Sequence, residues 1–279
     1  MMKIKNIIVI VVIISFTITG ITYFSTIPNN VKNDEVEFSG YSPLFRHFAY
    51  EKDFRIIKGE HVPLESYFEL KPELNNTYAE IGLFNKSQNA IVIVPIFTSS
   101  AYWEPGFYTY YRGECDFRCL TTTIKTDYPL GYSGSANAVK ILKLLGYEMM
   151  TDLEVDKNPD ILESYDKVII LHNEYVTQNE FDAITRHPKV IYLYPNALYA
   201  KIIADHDRGI ITLIRGHNYP EPEVMNGFDW KFDNTNPYEF DNECKEWEFY
   251  EVDNGIMLNC YPENIIYTDK SLLKIIKDY

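Results

Sequence analysis

The chain reads as an α/β protein built on a doubly wound, mostly parallel sheet, and two observations carry that reading. Three runs, AIVIVPIF from Ala90, KVIIL from Lys167 and KVIYLY from Lys189, are nearly unbroken aliphatic and β-branched sequence. A strand covered on both faces needs that composition. Between the runs stand two amphipathic, capped segments, so strand and helix alternate and the crossovers are of the right-handed parallel type.

Taken in order, the first element is Ile7 to Phe24, an uncharged stretch preceded by Lys3 and Lys5 and beginning IIVIVVII. Its length is at the lower edge of the roughly 17 to 25 residues a membrane span requires. The strongly apolar part ends at Ile14 and Ser and Thr dilute the rest, so a cleaved signal peptide is the rival to an uncleaved anchor. In both readings the basic flank stays in the cytoplasm and the bulk of the chain is extracytoplasmic. Residues 1–26 are therefore assigned to the anchor or signal, 27–88 to a stem with peripheral strands such as YFEL and AEIGLF, and 89–279 to the α/β domain.

After AIVIVPIF comes a polar, aromatic loop of about 35 residues, longer than ordinary connections and hence functional or stapled. SGSANAVKILKLLGY follows as a helix, with Ala138, Ile141, Leu142 and Leu145 on one face, Ser133 or Ser135 as cap and Gly146 as stop. In TQNEFDAITRHP, Thr177 and Glu180 form a capping box, Phe181 and Ile184 face inward, and Pro188 ends the helix. GIITLIRG, the hairpin WEFYEVDNGIMLNCY turning at Asp253-Asn254-Gly255, and the helix SLLKIIK are read as antiparallel additions to one edge and a closing helix.

A net charge of −14 and the lack of any basic stripe after Lys5 exclude nucleic acid as a partner. The 4 cysteines suit an oxidising compartment. Local disulfides Cys115/Cys119 and Cys244/Cys260 are expected; a four-thiolate zinc site is the rival, but the tight C-x2-C knuckles of structural zinc are missing. Two sequons, Asn75-Asn76-Thr77 and Asn85-Lys86-Ser87, are potential glycosylation acceptors.

In an open α/β sheet, ligands bind beyond the carboxyl ends of the strands. Three segments end there: TSSAYW after the first run, HNEY after the second and PNAL after the third. Tyr102, His172, Glu174 and Asn196 are thus placed to converge. Each also has a plain structural role open to it. A carboxylate before a helix start complements the dipole, a histidine at a strand end serves as a hydrogen-bonded fixture, and an asparagine after proline makes a turn. His206, His217, Arg208 and Arg215 are spare polar groups without an assigned role. No nucleophile elbow, Walker motif, dinucleotide fingerprint or H-E-x-x-H occurs.

The segment from Gly146-Tyr147 through His172-Asn173-Glu174-Tyr175-Val176, with Pro95, Thr98, Ala101 and Tyr102 upstream and Asn196 downstream, resembles the C-terminal domain of the N,N-dimethylformamidase large subunit and its relatives. That domain has a class I glutamine amidotransferase-like fold, and the likeness covers roughly residues 88 to 200. It implies a mononuclear iron amide hydrolase in which two tyrosines and the motif glutamate hold the metal. Carried onto this chain, Glu174 and Tyr102 are metal ligands, and His172 and Asn196 are catalytic, polarising or hydrogen-bonding groups. Asn173 stands where the family has Asp and Val176 where it has Trp. The second tyrosine is unassigned among Tyr108, Tyr110 and Tyr111. Phenolate and carboxylate oxygens suit a ferric Lewis acid.

Two functions remain. One is a membrane-anchored, metal-assisted hydrolase of a C–N bond in a small amide. The other is a non-catalytic surface domain that takes a glycan, peptide or neighbouring protein on the aromatic stretch Tyr102 to Tyr111, since tyrosine is suited to such contacts.

Overall fold

The computed structural model describes residues 34–84, 88–127, 130–230 and 241–279. The N-terminal apolar segment and the sequon at Asn85 lie outside the described residues, and no described helix is long and apolar enough to cross a membrane. The chain divides into two compact units after Glu69.

In the first unit, β1 (Glu35–Glu37), β2 (Phe45–Tyr50) and β5 (Tyr67–Leu70) form an antiparallel sheet in the order β1-β2-β5. A separate hairpin joins β3 (Phe54–Ile57) to β4 (Glu60–Pro63). Phe45, Phe48, Phe54 and Phe68 are buried in this unit.

The second unit opens with helix α1 (Asn75–Ile81), where the sequence suggested a strand AEIGLF. Then follow β6 (Ala90–Val94), α2 (Ile96–Tyr102), α3 (Phe107–Tyr111), β7 (Thr121–Thr123), α4 (Ala136–Leu144), β8 (Glu148–Thr151), α5 (Asp152–Lys157), β9 (Lys167–Ile170), β10 (Tyr175–Val176), α6 (Gln178–Arg186), β11 (Val190–Tyr192), β12 (Ala200–Asp205), β13 (Ile210–Arg215), β14 (Phe249–Val252), β15 (Gly255–Leu258) and α7 (Lys270–Asp278).

The main sheet runs β8-β6-β9-β11-β15-β14, parallel throughout except for β14. Successive residues Ile91, Val92, Ile93 and Val168, Ile169, Ile170 are all buried, so both faces of the central strands are covered, as their unbroken apolar runs require. The chain goes from β6 outward to β8 and then crosses back to β9. The strand order therefore reverses between β6 and β9, where α/β sheets open a crevice at their carboxyl ends.

Several expectations are corrected. AIVIVPIF is not one strand: β6 stops at Val94, and Pro95 directly precedes α2, so Tyr102 is carried on a helix. The long aromatic loop contains α3 and β7. GIITLIRG is not an edge addition to the main sheet; as β13 it lies inside a second sheet, β10-β12-β13-β7. The segment at β12, unassigned in the sequence, is its antiparallel partner.

The helix ends follow local chemistry. Thr177 and Glu180 make the capping box of α6, and Thr151 and Glu154 make another at α5. Ser135 does stand before α4, but in a left-handed conformation with its hydroxyl turned elsewhere. The carboxylate of Glu263 accepts the Asn137 and Ala138 N–H groups in its stead, at 3.0 and 3.1 Å. The expected hairpin at Asp253-Asn254 joins β14 and β15, and α7 closes the chain. Gly255 lies so near β11 that a Cβ there would meet the Val190 carbonyl oxygen at 1.8 Å.

Both disulfides join the pairs expected, Cys115 to Cys119 and Cys244 to Cys260, the signature of a chain made for an oxidising, extracytoplasmic compartment.

Candidate functional site

Five segments meet at the carboxyl end of the main sheet. β6 leads into α2, which carries Thr98 and Tyr102. β9 ends at Ile170, and the chain bends through His172-Asn173-Glu174 before pairing again as β10. This bend is pinned by its backbone. The Glu174 carbonyl accepts from the N–H groups of Tyr199 and Ala200 at 3.0 and 2.8 Å, and Thr98 Oγ1 accepts the Tyr175 N–H at 3.1 Å. The other three segments are the turn after β11, bearing Asn196, the turn after β13, bearing His217, and the chain after β15, bearing Tyr261 and Glu263.

Glu174 is fully buried and does not cap α6, whose capping oxygen is that of Thr177. Its Oε1 is hydrogen-bonded to His217 Nε2, while its Oε2 lies 3.5 Å from His172 Nε2. Burial works to raise the Glu174 carboxyl, but His217, with His172 and the Tyr102 hydroxyl, holds it below the ordinary carboxylate value. Burial pushes the Tyr102 phenol well up, and the Glu174 charge adds to this. The Tyr102 ring stacks on Tyr108 at 4.2 Å between centroids, making Tyr108 the nearest companion tyrosine.

The tautomer of His172 follows from its partners. Nδ1 is 2.6 Å from the Ser133 carbonyl, which can only accept, so Nδ1 carries the hydrogen. It is also 3.0 Å from the Tyr261 hydroxyl, which donates its own hydrogen to the Tyr132 carbonyl. Ser135 Oγ accepts the His172 N–H at 3.0 Å, which accounts for its absence from the α4 cap. Burial lowers the imidazole's pKa, opposed by Glu174, Ser133 and Asn196. The neutral ring therefore presents a lone pair at Nε2.

That nitrogen, Glu174 Oε2 and Asn196 Oδ1 are buried without a well-aligned hydrogen-bond donor; Asn196 stands beside the imidazole and the Tyr102 hydroxyl beside the carboxylate. The buried hydroxyls of Tyr111 and Tyr175 are likewise unpartnered. Buried polar atoms are rarely left so. The arrangement has the chemistry to hold an electrophile among the acceptors and a polar group against the hydroxyls.

No known protein family matches the chain, and no curated protein matches it.

The structure thus joins the sequence-selected residues Tyr102, His172, Glu174 and Asn196 in one cluster. His217 joins it from among the spare polar groups. His206 does not: its Nε2 is 2.6 Å from Asp156 Oδ2, and Thr177 donates to Oδ1 of the same carboxylate at 2.6 Å. Arg215 is engaged by the Gly227 carbonyl and Asp229, and Arg208 by Asp205. Tyr110 packs its ring on Tyr111, at 5.4 Å. Tyr175, Tyr261 and Glu263 were not singled out in the sequence. The only available hint for Tyr175 was its place inside HNEY.

Proposed function

We propose that the second unit is a metal-assisted hydrolase of a C–N bond in a small, uncharged amide, with a fold akin to the glutamine amidotransferases and to the dimethylformamidase large subunit. The N-terminal segment would hold it at the membrane with this unit outside. The observation that carries the reading is the set of three buried acceptors, His172 Nε2, Glu174 Oε2 and Asn196 Oδ1, left without a well-aligned donor.

The donor set fits a hard ion such as iron: Glu174 Oε2 and the Tyr102 hydroxyl would hold it, with Tyr108 the nearest second phenol. When bound, such an ion supplies Lewis acidity towards an amide carbonyl and its attacking water. The chain's own groups supply the rest. His172 is locked with its hydrogen on Nδ1, so Nε2 is free to take a proton from the water. Asn196 stands beside the same imidazole and would help to hold it. The unpartnered hydroxyls of Tyr111 and Tyr175 offer hydrogen bonds to the substrate. With Arg112 held by Glu104 and Glu114 and Arg215 held by Asp229, both guanidinium groups among the described residues of these two segments are engaged by carboxylates, which favours a neutral amide.

The rival, a non-catalytic surface for a glycan, peptide or neighbouring protein, needs the Tyr102–Tyr111 rings on an exposed loop. They are carried on two short helices, with Phe107 fully buried and Tyr102, Tyr108, Tyr110 and Tyr111 half-buried, so part of each ring is left for such a surface. Metal analysis of the purified full-length chain, with amine release from a panel of small amides, tests the proposal. Stoichiometric metal that disappears in Glu174→Ala is expected. A metal-free wild type that hydrolyses none of the amides would overturn the reading.

A further inference from the structure

We infer that His217 is the positioning residue of this centre: by occupying Oε1 of Glu174 it commits Oε2 to the space shared with His172 and Asn196. The inference rests on the metal-binding reading above and extends it to a residue outside the motif region.

The geometry leaves the carboxylate little choice. It has two oxygens, one is taken by His217 Nε2, and the other is the acceptor without a well-aligned donor. Partners of this kind, one bond removed from the ion, orient a ligand and govern its affinity. The His217 side chain is 22% exposed and the Glu174 side chain 1%, so the imidazole is the layer between the buried carboxylate and solvent.

His217 is itself held with unusual firmness. Gly216, His217 and Asn218 all have left-handed backbone, with φ of 116°, 54° and 63°. For the two residues with a Cβ this region is disfavoured, more for the histidine than for the asparagine. Such a conformation persists only where its surroundings impose it, and it is found preferentially at functional sites. Here the surroundings are backbone bonds: Gly216 N–H donates to the Tyr219 carbonyl, His217 N–H to Met225 and Asn218 N–H to Val224, at 2.9, 2.9 and 2.8 Å. The ring is then boxed by Tyr175 at 5.4 Å, Tyr199 at 4.6 Å and Tyr111 at 5.7 Å between centroids. Rotation away from Glu174 would drive it into one of them.

The pair His206–Asp156 is the internal contrast. There too a partly exposed imidazole meets a buried carboxylate, but Thr177 satisfies the second oxygen. That pair is closed, whereas the Glu174 pair is open on one side.

The test is ferric ion, supplied from a citrate complex, titrated into the full-length chain and its variants, with far-UV circular dichroism and thermal midpoints recorded beside affinity. His217→Ala is expected to bind about 10- to 100-fold more weakly, the range for lost outer partners of a metal ligand. His217→Gln, whose amide N–H can reach the same oxygen, should recover most of that loss, and His206→Ala should match wild type. Binding by folded His217→Ala within twofold of wild type would overturn the inference and leave the metal reading standing. Absence of ferric binding by wild type would overturn both. If His217→Ala does not fold, His217→Gln decides alone: an affinity more than tenfold below wild type defeats the idea.

Discussion

At the scale of single residues, one hydroxyl holds the backbone behind Glu174. Thr98 Oγ1 is the acceptor for the buried Tyr175 N–H, across from α2 to the bend after β9. Thr98→Val keeps the shape and removes the acceptor, leaving a buried donor unsatisfied at a cost of about 1–3 kcal/mol. Denaturant unfolding of Thr98→Val should show a loss of that size; an unchanged midpoint would mean the bond is inert. The residues legible in the sequence were those at strand ends. His172, Glu174 and Asn196 could be chosen because apolar runs announce where a strand stops; Tyr102 follows such a run but stands at the end of α2. His217 stood among spare polar groups, since its reach depends on a left-handed turn with no periodic signal. Tyr261 and Glu263 were missed for a similar reason. They come to the site only because β15 adds to the sheet beside β11 and delivers the following chain to its carboxyl end.

At the scale of elements, the alternation of strand and helix was readable, and so was the capping box of α6. What misled was a continuous apolar run: AIVIVPIF contains a strand and the first residues of a helix, and composition alone does not separate them. Pro95 marks the change, because it donates no N–H and suits a helix start. The second sheet escaped notice because β12 and β13 alternate irregularly and pair with the two-residue β10 and three-residue β7. Gly255 is where an element depends on one missing atom. Gly255→Ala puts a methyl group into the Val190 carbonyl, so β15 must shift away from β11. Heating should unfold the variant at a lower temperature, and the Tyr261 bond to His172 should loosen with it. A midpoint equal to that of wild type would show that the strands slide apart at no cost.

For the second unit as a whole, the clearest pH dependence comes from Glu263. Burial raises its carboxyl from 4.5 to about 7, against hydrogen bonds from Tyr194 and from the Asn137 and Ala138 N–H groups. The folded state then keeps a proton that the unfolded chain releases. Its contribution to stability is full below about pH 4.5 and is lost as pH rises through about 7. Denaturant midpoints of wild type should therefore fall between pH 5 and 8, and Glu263→Gln should flatten that fall. Parallel pH profiles for the two proteins would refute the assignment.

The bond between Cys244 and Cys260 has a consequence beyond stapling a hairpin. Cys260 is the residue directly before Tyr261, whose hydroxyl accepts from His172 Nδ1. The covalent state of sulfur is thus one residue from the group that helps set which nitrogen of the imidazole bears hydrogen. A chain still in the reducing cytoplasm lacks that tether, and one that has crossed the membrane acquires it. Oxidation of the two cysteines would then act as a maturation step, tethering the residue beside the imidazole only once the chain is in an oxidising compartment.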